Sequence, residues 1–356
     1  MSTENCMSRL PSRQRRRLLG LAGAGVMGML PVTAWAAEDR LPVVATFSIL
    51  GDMVKEVGGD RVSVTTIVGI NSDVHRFEPT PRDAKALLAA KVLVLNGLDF
   101  EAWLPRLAEA SGFKGLQVLA TAGVKVRHLG DENHPDEVQE AQGRESETPE
   151  AHDYEGASAE AQDPDHGHDH HGHDHAHGDV DPHAWQNLAN GMIYARNIAA
   201  GLGRADPRNA AYYRSRAENY VSRMQALDSE IKAGFAAIPP ERRRVITSHD
   251  AFGYFGDAYG IEFIPVAGLS NQAEPSAADV ARIVRAARDA HVSGIFIENM
   301  TSPKLAQQIA RESGVPMGGT LYADALGPAD EPAATYLGMF SWNAGRLLYV
   351  LRQAKK

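Results

Sequence analysis

The longest periodic segment of the chain is a helical pattern at 207–238, PRNAAYYRSRAENYVSRMQALDSEIKAGFAAI. It follows Asp206, a residue type that caps helices, and it stops before Pro239-Pro240, which cannot continue a helix. At 1.5 Å per residue, a helix of about thirty residues measures roughly 45 Å. Because this exceeds the width of one small domain, the segment predicts a rod that joins two globular bodies.

Strands and helices alternate on both sides of this predicted rod. Runs of β-branched and apolar residues predict strands at 43–50, 62–69, 92–97, 116–120, 244–249, 262–268, 294–299 and 316–322. Helical periodicity predicts helices at 80–91, 100–110, 186–203, 276–290, 302–314 and 335–353. Such alternation is typical of parallel sheets covered by helices. The expected fold class is therefore α/β, with two lobes that each contain a mainly parallel sheet.

Residues 127–180 interrupt the alternation. They contain almost no large apolar residues, so they cannot bury enough surface to offset chain ordering, and we expect a disordered insertion. Residues 131–181 hold seventeen Asp and Glu residues against Arg144 alone, whereas the whole chain has a formal net charge of −9. The acidity therefore belongs to this segment. The sequence contains no basic patch with interleaved aromatic residues, so nucleic acid is not an expected partner.

The first 36 residues predict a cleaved export signal. Five arginines form a basic head, residues 18–30 form an apolar run too short to span a bilayer, and Ala36 ends a cleavage-site pattern. The Arg pair at 15–16 leaves both the twin-arginine and the ordinary secretory route open. Cys6 precedes the apolar run and cannot carry a lipid at the cleavage point. We therefore expect a periplasmic protein that is not a lipoprotein.

These patterns divide the chain into four parts. We expect a signal peptide at 1–36, an N-terminal lobe at 37–204 that contains the insertion at 127–180, a linking helix at 205–238 and a C-terminal lobe at 239–356. Lobes of this size can each bury a core of their own.

Four potential metal ligands lie at predicted strand ends or helix starts, where α/β folds bind their ligands. They are His75 in NSDVHRFEPTP, His183 in DPHAW, His249 in SHDAFGYF and Asp324 in LYADALG. A lone loop histidine is usually solvated or hydrogen-bonded, and a lone Asp after a strand usually caps a helix. Two of the four come from each lobe, however, and three imidazoles with a carboxylate suit Zn²⁺ in a tetrahedral shell.

The segments HRFEPTPRDAKALLAAKVLVLNGLDFEAWL, DPHAW, ITSHDAFGYF and LYADALG resemble the periplasmic zinc- and manganese-binding proteins of ABC metal importers, specifically the zinc-type solute-binding proteins of cluster A-I. The resemblance covers nearly the whole mature chain apart from the insertion. It implies two lobes bridged by one long rigid helix, with His75, His183, His249 and Asp324 around one ion in the interlobe cleft. The manganese branch generally has Glu at the position of His249, so a nitrogen ligand there favours zinc. Val74 stands where some zinc-binding members have an acidic residue, which leaves the carboxylate role to Asp324.

The insertion also contains a histidine tract that resembles the His- and acid-rich loop of many zinc-binding members. Its seven histidines are His166, His168, His170, His171, His173, His175 and His177. No packing fixes them, so we expect weak, interchangeable sites that collect zinc; the alternative is a solvated loop that only aids solubility. His183 differs, because Pro182, Trp185 and the following helix predict a fixed position, and a preformed site binds more tightly.

The resemblance implies a protein that captures Zn²⁺ and delivers it to a permease and its ATPase in the inner membrane. A periplasmic metallochaperone is a further candidate partner, and we expect a monomer. Three alternatives stay open: a carrier of manganese or another divalent metal, an adhesin or metal buffer with the same fold, and a zinc-dependent hydrolase with Asp324 as its base. Against the hydrolase, a fourth protein ligand closes the shell, and the sequence has no HExxH helix or nucleophile elbow. We therefore expect no enzyme.

Overall fold

The computed structural model describes residues 40–129, 180–267, 276–289 and 291–354. The predicted signal peptide and the seven histidines of the tract lie outside these residues. Within the part of the chain that the structure describes, no helix is long and apolar enough to cross a lipid bilayer.

The N-terminal lobe is built on a parallel four-stranded sheet. Its strands are β1 (Leu41–Phe47), β2 (Val62–Val68), β3 (Val92–Leu95) and β4 (Leu116–Leu119), in the spatial order β2-β1-β3-β4. Before the insertion, the described residues of this lobe form helices α1 (Ser48–Gly58), α2 (Pro81–Ala89) and α3 (Leu104–Ser111). Helix α1 packs on β1 and β2, whereas α2 packs on β1 and α3. The central strands β1 and β3 are apolar and almost wholly buried because helices cover the middle of the sheet, whereas the edge strands β2 and β4 each have exposed residues.

The C-terminal lobe repeats this topology. Its strands are β5 (Arg244–Thr247), β6 (Glu262–Pro265), β7 (Gly294–Glu298) and β8 (Met317–Leu321), all parallel and in the order β6-β5-β7-β8. Its helices are α6 (Gly253–Tyr259), α7 (Ala277–Asp289), α8 (Lys304–Ser313) and α9 (Tyr336–Gln353). The two parallel sheets confirm the predicted α/β class with two lobes.

Two long helices follow the insertion. Helix α4 (Leu188–Ala205) packs on β3 and β4 of the N-terminal lobe, and α5 (Ala210–Ala236) connects the two lobes. Helix α5 has 27 residues and is about 40 Å long. It packs against α1 and α4 on one side of the molecule and against α6 and α9 on the other. Its buried residues belong to a hydrophobic cluster that continues from the N-terminal sheet to Phe255 and Phe340 of the C-terminal lobe. The core is thus not divided at the lobe boundary, and a second, smaller cluster lies around Ile246, Ile283 and Ile295.

Several element boundaries differ from those predicted. The strand predicted at 43–50 ends at Phe47, and Ser48 begins helix α1, which the sequence analysis missed. The first residues of α1 are buried like those of β1, so Ile49 and Leu50 extend the apolar run of the strand into the helix. Helix α5 begins at Ala210 because residues 207–209 form a 3-10 turn, in which Asp206 accepts hydrogen bonds from Asn209 and Tyr213. Helix α6 was also missed, since seven residues are too few for a helical period.

Candidate metal centre

The four predicted ligands lie in the segments that connect strands to helices. His75 lies in the loop between β2 and α2, and His183 immediately precedes a 3-10 turn at Ala184–Gln186. His249 follows β5, and Asp324 follows β8. Carboxyl ends of parallel strands point to one edge of a sheet, so each lobe presents two of the four side chains to the cleft.

The structure brings these four side chains together. One ligand atom of each lies within 4.8 Å of the others. The Nε2 atoms of His75 and His249 lie 3.4 and 3.2 Å from Asp324 Oδ2, and Nε2 of His183 lies 3.6 Å from Oδ1. In a tetrahedral zinc shell with bonds near 2.1 Å, neighbouring ligand atoms are separated by about 3.4 Å. The three nitrogen–oxygen separations are therefore compatible with one small cation between these side chains, whose ligand atoms all lie within 4.8 Å of one another.

The centre is almost closed to solvent. The side chains of His183, His249 and Asp324 are fully buried, whereas that of His75 is 8% exposed. Phe100 and Trp185 form an aromatic wall, with the Phe100 ring 5.0 Å from that of His75 and the Trp185 ring 5.3 Å from that of His183. The low dielectric of such a site strengthens the interaction of its charged groups with an ion. Of the four side chains, only that of His75 reaches solvent.

Two of the three imidazoles are held by carboxylates that the sequence analysis did not identify. Nδ1 of His183 lies 2.9 Å from Asp181 Oδ1, and Nδ1 of His249 lies against Glu298. The backbone N–H groups of the two histidines also donate to these carboxylates, at 3.0 Å in both cases. A carboxylate at Nδ1 keeps the proton on that nitrogen and directs the Nε2 lone pair at the metal.

The charges of the centre shift two pKa values. Burial acts to raise the pKa of Asp324, but His249 and His183 outweigh it and hold this pKa well below its usual range. Burial acts to lower the pKa of His249, yet Glu298 and Asp324 raise it well above the ordinary value. The ion-free centre thus keeps an ionised Asp324 and a protonated His249. A metal ion that binds through Nε2 must displace this proton.

Hydrogen bonds fix the ligand segments of the two lobes against each other. The indole N–H of Trp185 donates to the carbonyl of Ala323 at 2.9 Å, and the amide of Gln186 donates to the same carbonyl at 2.7 Å. The hydroxyl of Tyr336, in α9, donates to the carbonyl of Trp185 at 2.6 Å. The segment after His183 is therefore bonded directly to the residue before Asp324, which preorganises the four ligands.

The seven histidines of the tract, from His166 to His177, lie outside the described residues. Their role as weak zinc sites stays a prediction.

The chain is similar to known metal-binding proteins of transport systems. The family model described as the periplasmic component A of the zinc-uptake complex, ZnuA, matches residues 43–348. The iron ABC transporter substrate-binding lipoprotein MtsA of Streptococcus pyogenes serotype M1 is 29% identical over 321 residues, which are 88% of this chain and 90% of the relative. The manganese ABC transporter substrate-binding lipoprotein PsaA of Streptococcus pneumoniae is 28% identical over 318 residues, 88% of this chain and 89% of the relative.

Solved structures share the fold. The periplasmic zinc-binding protein TroA of Treponema pallidum has a TM-score of 0.71 and 23% identity, and covers 88% of this chain and 99% of its own. The manganese-bound periplasmic metal-binding protein of Candidatus Liberibacter asiaticus has a TM-score of 0.68 and 24% identity, with coverages of 87% and 98%. At these identities the likeness establishes the two-lobed architecture.

The relatives also test two expectations from the sequence. They are substrate-binding proteins of transporters, which confirms that the chain is not an enzyme and sets the hydrolase alternative aside. Several are named lipoproteins, which conflicts with the expectation that this protein has no lipid anchor. The location outside the cytoplasm is supported, but the position of Cys6 is not grounds for excluding an anchor. The match over 43–348 shows that the chain belongs to the ZnuA family, the periplasmic metal-binding components of ABC metal transporters.

Proposed function

We propose that the protein captures Zn²⁺ in the cleft between its lobes and delivers it to the permease of an ABC importer. The observation that carries this proposal is the spacing of three imidazole nitrogens around a buried carboxylate, at 3.2–3.6 Å. Three imidazoles and a carboxylate around one ion supply the four ligands of a tetrahedral shell, the geometry that structural zinc sites adopt.

The ligand set favours zinc over the metals for which some relatives are named. Those names include iron and manganese. Mn²⁺ prefers oxygen-rich shells of six ligands, whereas borderline Zn²⁺ accepts imidazole nitrogen and a coordination number of four. His249 contributes nitrogen where the resemblance would place Glu in a manganese carrier. Its Nδ1 is also paired with Glu298, an arrangement that orients a nitrogen ligand.

Release of the ion requires movement of a ligand segment. Helix α5 packs on both lobes, and Trp185 bonds the two sides of the cleft, so a wide opening of the lobes would break buried contacts. His75 is the most exposed of the four ligands and lies in a loop. We propose that docking on the permease displaces this loop. Equal hydrogen-exchange protection of the His75 loop with and without metal would contradict this route.

The histidine tract serves in this proposal as an auxiliary collector that passes zinc to the cleft. Deletion of residues 131–178 should leave the affinity of the cleft nearly intact, while the zinc stoichiometry and uptake at scarce zinc fall. An unchanged stoichiometry would favour the solvated-loop alternative. A metallochaperone that loads the protein and a monomeric state are further predictions of the same proposal.

The proposal is tested by metal titration of the mature protein without residues 131–178. His75→Ala, His183→Ala and His249→Ala should each lower zinc affinity by about 100-fold or more, and Asp324→Ala by a similar or smaller factor, since each removes one ligand. His291→Asn is the matched control, because His291 is exposed in a turn, and Asn tolerates its φ of 51°. Retained affinity in the three histidine variants would overturn the site.

The metal itself needs a separate experiment, because most nitrogen-containing sites bind Zn²⁺ more tightly than Mn²⁺. In cells that lack this protein, the uptake of labelled Zn²⁺ should fall and that of labelled Mn²⁺ should persist. A selective loss of Mn²⁺ uptake would show that manganese is the cargo. Normal uptake of both metals would instead favour a buffer or an adhesin.

A further inference from the structure

The two ends of the acidic insertion meet beside the metal centre. His128 and Val180 form an antiparallel bridge, and the backbone N–H of Asp181 donates to the carbonyl of Arg127 at 3.0 Å. The chain therefore enters and leaves the insertion at one place, and Val180, where it leaves, is three residues before His183.

The side chain of Arg127 reaches the carboxylate that holds this ligand. Its Nη1 donates to Asp181 Oδ2 at 3.2 Å. The other oxygen, Oδ1, accepts the backbone N–H of His183 at 3.0 Å and lies 2.9 Å from Nδ1 of the same residue. Asp181 is fully buried. Because each oxygen of the carboxylate has its own hydrogen-bond partner, the guanidinium on Oδ2 and His183 on Oδ1, Arg127 fixes the plane of Asp181 and, through it, the His183 ring.

Arg127 also contacts the segment that follows His249. Its Nε lies 3.3 Å from Asp257 Oδ2, and its backbone N–H donates to the hydroxyl of Tyr254 at 2.8 Å. Both partners belong to helix α6, which begins shortly after His249. One arginine thus joins the segments that carry two different metal ligands, one from each lobe.

The first residue of α6 makes room for this arrangement. A Cβ atom on Gly253 would lie 2.4 Å from Nη1 of Arg127 and 2.7 Å from Oδ2 of Asp181. Both distances are shorter than a carbon atom permits. A side chain at this position would therefore push the guanidinium away from the carboxylate.

We infer that Arg127 is a positioning residue of the metal centre, which fixes the separation of the His183 and His249 imidazoles from the base of the insertion. The two ring centroids lie 5.5 Å apart. This inference rests on the proposed function and specifies which residue holds two ligands of the metal centre in place. A change in the stem of the insertion reaches His183 through Arg127 and Asp181.

The test uses the full mature protein and Co²⁺, whose visible absorption reports a tetrahedral shell. In Arg127→Met, zinc affinity should fall by about tenfold, the low end for groups that orient a metal ligand, and the Co²⁺ spectrum at one equivalent should change. Gly253→Ala should produce the same spectral change although every charged group is retained. Arg127→Lys should lie between Arg127→Met and wild type, because an ammonium group cannot span both Asp181 and Asp257.

Arg196→Met is the control, because Arg196 makes an exposed pair with Glu218 at 2.9 Å, away from the four ligands. It should leave the affinity and the spectrum as in wild type. The inference would be overturned if both Arg127→Met and Gly253→Ala kept the wild-type Co²⁺ spectrum and a zinc affinity within about twofold of wild type. It would also be overturned if Arg196→Met lost as much zinc affinity as Arg127→Met. If Arg127→Met does not fold, Gly253→Ala and Arg127→Lys decide. A wild-type spectrum that is not tetrahedral, or that persists in His183→Ala, would instead refute the proposed function.

Discussion

Replacement of Glu298 by Gln tests how the centre controls the affinity of His249. The carboxylate contacts Nδ1 of His249 and accepts its backbone N–H at 3.0 Å, and both residues are buried. The amide has nearly the same shape but no charge, so the imidazole becomes a weaker and less well oriented ligand. Loss of such a partner lowers metal affinity by about 10–100-fold, or roughly 1.4–2.8 kcal/mol.

Although it lowers zinc affinity, the same change should make that affinity less sensitive to acid. The pKa of His249 is raised well above its ordinary value, with Glu298 the first of the carboxylates that overcome the effect of burial. The ion-free protein therefore holds this proton at neutral pH, and wild-type affinity falls by about tenfold for each pH unit below this pKa. Zinc affinity should thus decline from a higher pH than the range of roughly 6–7 expected for an ordinary histidine.

In Glu298→Gln the pKa of His249 falls, so proton competition begins at a lower pH. The affinities of the variant and wild type should differ most at high pH and converge as the pH decreases. Titration calorimetry in buffers of different ionisation enthalpy should also show fewer protons released per zinc by the variant than by wild type. Glu262→Gln is the control, because Glu262 pairs with Arg244 on an exposed edge. Parallel pH profiles and equal proton release in Glu298→Gln and wild type would refute this reasoning.

Two further predictions concern contacts between the lobes. Trp185→Phe removes the indole N–H that donates to Ala323 and leaves a small cavity, so the free energy of unfolding in urea should fall by about 2 kcal/mol. Zinc affinity should also fall, because Asp324 is adjacent to Ala323. An unchanged affinity would show that this contact does not position Asp324. Burial, followed by the charge of Glu56, raises the pKa of Asp52 from 3.8 to about 6. Ionised Asp52 therefore destabilises the folded protein at pH values above about 6, and this cost is absent below the unfolded pKa of 3.8. Asp52→Asn should therefore raise the free energy of unfolding by about 2 kcal/mol near pH 7, with no gain near pH 4, and an equal gain at both pH values would contradict the assigned shift.

The sequence predicts the parts of this molecule that depend on local patterns. The β-branched runs predict all eight described strands, and the segment ended by Pro239 predicts helix α5. The four candidate ligands were predicted because each lies in a short motif at a strand end or a helix start, and the motifs occur in the order of a known family. Their convergence to within 4.8 Å, by contrast, is visible only in the structure.

The parts that could not be predicted depend on tertiary contacts. Glu298 ends an ordinary apolar strand, and only the pairing of β7 with β5 brings it to His249. The role of Asp181 could have been suspected from the sequence, because Asp181 lies two residues before His183 in DPH. It was not distinguished, however, because it ends a segment that is rich in acidic residues. Arg127 acquires its role from α6, a seven-residue helix that has no periodic pattern of its own.

The central claim is that one ion is held between the lobes by three nitrogens and a carboxylate oxygen. Anomalous diffraction at the zinc edge, from crystals of the mature protein loaded with one equivalent of Zn²⁺, tests it most directly. The account predicts one dominant peak about 2.0–2.2 Å from Nε2 of His75, His183 and His249 and from a carboxylate oxygen of Asp324. A dominant peak elsewhere, or one bound by fewer than three of these histidines, would contradict it.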